Sequence, residues 1–104
     1  MGARQSQNEM VRVAMRVPLL ERAEEHDLAV RWKEFNDQQA MNKIVTAHMR
    51  LVISMASKFR NFGLPISDII QEGHIGLLEA VSRFEPERYV RFSTYATWWI
   101  RASI

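Results

Sequence analysis

Ile44, His48, Leu51, Met55, Phe59 and Phe62 follow one another at steps of four, three, four, four and three. That spacing lines up one side of a helix, whereas a strand alternates its faces with a period of two. It predicts a long amphipathic helix over residues 38–61. Pro18, the Gly63/Pro65 pair and Pro86 punctuate the chain around it and mark off further helical stretches. One lies near residues 21–35, with Glu21, Glu24 and Glu25 in its first turns, where the helix dipole favours acids, and with Asn36 and Asp37 at its end. Another starts with Ser67 or Asp68 as its cap, reaches about Phe84, and turns Ile70, Leu77, Val81 and Phe84 inward. The last begins near Phe92 or Ser93 and carries Phe92, Tyr95, Ala96, Trp99 and Ser103 along one face. A weak helix over residues 8–16 precedes them all. With no strand alternation and no internal repeat, the expected fold is all-α, a compact bundle of four to five helices.

Gly73 and Gly76 interrupt the stretch that ends at Phe84. Each costs about 1 kcal/mol against alanine in a helix interior, so a second backbone passing close by is the expected reason for them. The 104 residues make one domain. Residues 1–16 are expected to be a weakly ordered N-terminal segment and residues 17–104 the helical domain. The final helix carries no stop signal before Ile104, which reads as a truncated C-terminus.

Several classes of function find no support. Cysteine is absent, the longest apolar runs are too short to span a bilayer, and the first twenty residues carry Arg4, Glu9, Arg12 and Arg16 instead of an apolar block. The expectation is a cytoplasmic protein that does not enter a membrane. His26, His48 and His74 stand 22 and 26 residues apart and form no metal-ligand motif. Asp68 and Glu72 share a helical face at i and i+4, but nothing nearby completes a catalytic or metal site, and no phosphate-binding glycine loop is present. The chain is expected not to be an enzyme and to need no cofactor or metal.

The net charge of +2 conceals a division. Residues 65–87 carry one base against five acids, and residues 88–104 three bases against none. The two segments are expected to form two different surfaces, set against the plainer reading of solvated helix faces. Within residues 88–101, five of fourteen residues are aromatic and three are arginine. On a helix Trp98 and Trp99 diverge by about 100°, so both cannot enter one core. Aromatics interleaved with arginine suit single-stranded nucleic acid, which offers a π-face on every base and a charge on every phosphate. Two other readings stay open at this level: a protein-binding helical module whose aromatics are buried and make no DNA contact, and a membrane-interface helix.

Residues 40–104 contain HMRLVISMASKFRNFGLP, DIIQEGHIGLLEAVSRFEPER and FSTYATWWIRASI in order. Together they resemble region 2 of a bacterial sigma factor, and the FEPER segment and the WIRASI ending resemble the heat-shock-type, alternative members. VPLLERAEEHDLAVRWKEFND, residues 17–37, resembles the helix that precedes region 2 in that group. The resemblance implies a transcription initiation factor that binds core RNA polymerase and helps melt promoter DNA at the minus-ten element. It implies that Asp68, Gln71, Glu72, His74 and Leu78 dock on the clamp coiled coil of the largest polymerase subunit. It implies that Tyr95 stacks on a flipped adenine of the single non-template strand, with Arg88 and Phe92 shaping its pocket. Trp98 and Trp99 would form the wedge at the upstream edge of the bubble, while Thr94, Arg91 and Arg101 lie along the strand. His48 and Met49 match positions near a second flipped base downstream. An anti-sigma factor or chaperone is a further partner class for such a factor.

Three positions depart from the family pattern. Tyr89 stands where glycine is frequent, so the turn before the aromatic helix differs if that glycine supplies positive φ. Val90 replaces a frequent aromatic. Ala102 replaces the glutamine of the housekeeping type and cannot hydrogen-bond a base edge.

Overall fold

The computed structural model describes residues 2–59 and 63–104, with side chains from residue 9 onward. Phe62 and residues 60–61 of the expected 38–61 helix lie outside the described residues. Five helices follow in order: α1 (Gly2–Arg16), α2 (Arg22–Phe35), α3 (Gln38–Ser57), α4 (Ile66–Arg83) and α5 (Phe92–Ser103). Among the described residues there is no strand, so the fold is the expected all-α bundle. No helix among them is long and apolar enough to cross a membrane.

α3 is the central element and packs against α1, α2, α4 and α5. Its buried residues are Ala40, Ile44, Val45, Ala47, His48, Val52, Ile53 and Ala56. The expected stripe is therefore only half right. Ile44 and His48 are buried, but Leu51 and Met55 are half-buried and Phe59 is exposed. A helix enclosed by four neighbours is buried over most of its circumference. Its most deeply buried positions are the small and branched residues Ala40, Val52 and Ala56, none of which belongs to the expected stripe.

α1 begins earlier than the expected residue 8 and lies along α3, where Ala14 is buried. The Arg50 guanidinium, from α3, donates to the carbonyls of Met15 at 3.1 Å and Val17 at 2.9 Å, satisfying groups at the α1 C-terminus that a helix end leaves open. α2 ends at Asn36, which takes the left-handed conformation at φ 52°, as its position after the last turn anticipates. Asp37 then opens α3. One carboxylate oxygen accepts from the Ala40 N–H at 3.2 Å and the other from Arg31 at 2.9 Å, and these two contacts, the amide first, hold the Asp37 carboxyl below its ordinary value.

α4 starts one residue before the expected caps. Neither Ser67 nor Asp68 caps it, because Pro65 occupies the N-cap and its carbonyl accepts from the N–H groups of Asp68 at 3.0 Å and Ile69 at 3.3 Å. Asp68 sits in the first turn, where its charge complements the dipole. Ile70, Leu77, Val81 and Phe84 are buried as expected. The two α4 glycines mark its contact with other elements. A Cβ on Gly76 would stand 2.5 Å from the Trp99 carbonyl oxygen of α5, and one on Gly73 would stand 2.8 Å from a Val52 methyl of α3. Gly76 thus admits a neighbouring backbone, and Gly73 a side chain.

Candidate nucleic-acid interface

The Glu85–Arg88 segment is a tight turn, closed by the Arg88 N–H donating to the Glu85 carbonyl at 3.2 Å, with Pro86 at the position whose fixed φ suits it. It leads into α5, whose buried seam is Phe92, Ala96 and Ile100. The first N–H of α5 has an unusual partner. No local side chain caps the helix, and the Phe92 amide instead donates at 3.0 Å to Glu25 of α2, which is 4 % exposed. The same carboxylate receives Arg91 at 3.2–3.3 Å, and Arg91 also donates to the Leu20 carbonyl at 3.0 Å. One acid therefore ties the start of α5 to α2 through an amide and a guanidinium.

The seam leaves the larger aromatics at the edge of the core. Phe92, 1 % exposed, meets Phe84 edge-on at 5.2 Å between ring centres; Phe84 lies 5.6 Å from Tyr95, and Tyr95 lies 6.4 Å from Trp99. The Arg83 guanidinium stands 5.1 Å from the centre of the Trp99 ring, a cation–π contact. Tyr95 and Trp99, both half-buried, form one wall of a groove of about 470 Å³. Phe84 and Val90 line it too, and Lys33, Arg83 and Arg88 add positive charge opposed by Glu85 alone. Lys33 reaches this groove because α2 ends against α4, where the Trp32 indole N–H donates to the Val81 carbonyl at 3.3 Å.

The expected strand-facing residues divide into three groups. Arg88, Thr94, Trp98 and Arg101 are exposed, Trp98 to 71 %. Tyr95 and Trp99 are half-buried and shape the groove. Phe92 is core and supports the pocket from behind, while Arg91 turns inward to Glu25. The two tryptophans diverge, one into solvent and one into the groove wall.

His48 and Met49 do not come together as a pocket. The His48 ring is buried; its Nδ1 donates to the Ile44 carbonyl at 2.7 Å, and the ring meets Phe92 in a T-shaped contact at 4.8 Å between centres. Burial is the main cause that pushes its pKa below the ordinary value, with Arg91 adding to the effect and the Ile44 bond and Glu25 opposing it. Met49, one step round the helix, lines a separate groove between α1 and α3 with Met10, Val13 and Thr46.

On α4, Asp68, Gln71, Glu72 and Leu78 share the exposed face and His74 is half-buried. Between them lies Ile75, 57 % exposed, an apolar residue that a sequence reading of the acidic positions passes over. Its steps of three from Glu72 and to Leu78 were the available signal. Glu25 and Lys33 were missed as well, because both act on segments more than forty residues away.

The Sigma-70 region 2 family profile matches residues 44–104. The chain is 55% identical over 87 residues to an RNA polymerase sigma factor RpoH of Caulobacter vibrioides, covering 84% of this chain and 30% of that protein. It is 45% identical over all 104 residues to the RpoH of Zymomonas mobilis, covering 34% of that protein. It is 47% identical over 89 residues to a SigA of Clostridium acetobutylicum, covering 86% of this chain and 23% of that protein. The chain belongs to the Sigma-70 region 2 family. The similarity to RpoH factors bears out the heat-shock-type resemblance of the FEPER and WIRASI segments. The chain spans about a third of the length of the RpoH relatives it matches.

Proposed function

We propose that this chain is the promoter-recognising and polymerase-docking part of a heat-shock-type transcription initiation factor, working in the cytoplasm. The observation that carries the proposal is the cationic, aromatic-walled groove beside α5, with an exposed tryptophan next to it. Tyr95 offers its ring to a flipped adenine of the minus-ten element. Trp99 and Phe84 line the same pocket, Arg88 and Lys33 rim it, and Phe92 fixes it from behind. Stacking yields about 1–3 kcal/mol per base, and extracting a base from duplex costs a few, so two or three such contacts with phosphate pairing offset the extraction without an energy source. Trp98 stands as the wedge at the bubble edge, and Thr94 and Arg101 follow the strand. Arg91 is a positioning residue, holding α5 on α2. Met49 is retained as a candidate for a downstream base, and His48 is not.

The exposed face of α4 is the proposed docking surface for the polymerase clamp coiled coil, through Asp68, Gln71, Glu72, His74 and Leu78, to which Ile75 is added. Apolar residues within an acidic surround suit a partner helix that presents basic and apolar side chains. Control by an anti-sigma factor or chaperone is proposed on the resemblance alone. A module with fully buried aromatics fits poorly with the exposure of Trp98.

The test is a titration of the chain, alone and with core RNA polymerase, with a single-stranded oligonucleotide carrying a minus-ten element, followed by tryptophan fluorescence. Tyr95→Ala is expected to weaken binding at least about fivefold while leaving capture by the clamp coiled coil intact. Equal binding by both proteins overturns the base-capture assignment.

A further inference from the structure

Tyr89 is 94 % exposed, more than any other large hydrophobic side chain of the described residues. It stands where the family often has glycine, yet it does not take that residue's special conformation: Asn36 is the one described non-glycine residue with positive φ. The substitution therefore leaves the turn unstrained and delivers an aromatic ring to solvent. That ring is not isolated. It borders a groove of about 660 Å³ between the Pro86–Tyr89 turn and the first turns of α2, lined also by Arg22, His26, Glu87 and Arg88. Arg88 lines this groove and the groove of Tyr95 and Trp99 alike, so the two lie on either side of one arginine.

We propose that this second groove is a further single-strand site, in which Tyr89 stacks on one additional base while Arg22 and Arg88 pair with the phosphates leading to it. The inference rests on the base-capture reading of the first groove and extends its track by the reach of one arginine. An exposed aromatic beside two arginines, with Glu87 the sole acid, has the composition of a nucleotide-stacking platform. A protein partner would be expected to cover more apolar surface than one ring. Arg88 pairs with Glu85 at 3.1 Å, but both side chains are largely exposed, so a phosphate can exchange for the carboxylate at little cost.

The experiment measures the affinity of labelled single-stranded oligonucleotides by anisotropy, using the full 104-residue chain alone and with core RNA polymerase. The strands carry the minus-ten element and are lengthened one nucleotide at a time from either end. The wild type is expected to gain affinity in a step of roughly five- to a hundredfold at the length that reaches Tyr89. Tyr89→Ala is expected to lose that step while binding the shortest strand as the wild type does, and Tyr89→Phe to keep it. A step retained in Tyr89→Ala overturns this proposal alone, provided that Tyr95→Ala still weakens every strand. If the wild type binds none of the strands in either arm, the base-capture reading falls and this one falls with it. Tyr89 makes almost no contact with the fold, so its variants are compared at equal helicity by circular dichroism.

Discussion

α4 and α5 pack closely against each other, yet their outward faces are built in opposite ways. The α4 face is a shallow strip of acids with Ile75 and Leu78 standing free among them, and its inner side is lined by small or branched residues and two glycines. The α5 face is concave and cationic, and its half-buried rings rest on a layer of further rings. The difference follows from what each helix buries. Gly73 and Gly76 bring α4 down onto α3 and α5, and its acids line a groove with Phe59, Leu64 and Ile104 at one end only. α5 buries Phe92, Ala96 and Ile100, and the aromatics flanking that seam are too large to be covered by the small residues opposite. An acidic strip with exposed apolar residues suits another folded protein, whereas a groove with ring walls suits a base.

Glu25→Ala is the sharpest way to separate the two faces. It orphans the buried Phe92 N–H and leaves Arg91 without its carboxylate, at an expected cost of about 3 kcal/mol. The damage is confined to the α2–α5 junction, so strand binding is expected to fall while capture by the clamp coiled coil persists in the fraction that remains folded. Chemical denaturation gives the stability change, and the two binding assays show whether the faces part. Gly76→Ala is expected to cost about 2 kcal/mol, since the new methyl meets the Trp99 carbonyl, which belongs to the backbone and cannot rotate away. Here both activities should decline together, because the contact that sets the relation of the two faces is what shifts. Gly73→Ala should cost less, the obstacle being a methyl of Val52. If Gly76→Ala harms one activity alone, the faces are more independent than their shared contact implies.

The smallest effect is that of acid on His48. The folded state keeps the buried imidazole neutral, with its pKa lowered, whereas the unfolded chain takes up a proton below about pH 6.5. Its contribution to stability is therefore complete above that pH and is lost as the pH falls through it. The thermal midpoint should drop between pH 7.5 and pH 5.5, and His48→Leu should flatten the drop. Asp37 acts in a lower window, with stability present above its ordinary carboxylate range and lost as pH falls below it.

The all-helical fold was legible because periodicity is a local property. The same holds for the end of α2 at Asn36 and for the inward residues of α4. The α4 start was misjudged because Ser67 and Asp68 are good caps in isolation, while Pro65, just upstream, already has the extended backbone that a helix entry needs. The phase of α3 was misjudged because a single stripe assumes a single neighbour, and α3 has four. At the groove, Tyr95, Trp99 and Arg88 could be read from one segment of sequence. Glu25 and Phe92 stand 67 residues apart, and nothing in the spacing of either segment announces the other. The pairing of Arg91 is hidden for the same reason: its charge is visible in the sequence, but Glu25 as its partner is not. Lys33 reached the site only through the docking of Trp32 on α4.

The hold of Arg50 on the end of α1 bears on how the molecule comes apart. α1 packs chiefly on α3, and its C-terminal carbonyls are bonded to a side chain of that same helix. The other four helices are joined further, α3, α4 and α5 by mutual packing and α2 by the bonds of Glu25 and Trp32 to α5 and α4. α1 is thus a separable unit whose release exposes Ala14 and frees two carbonyls without disturbing either proposed binding face. Its amides should exchange with solvent at a lower opening free energy than those of α3, making α1 the part of the bundle that can be lifted away while the rest stays assembled.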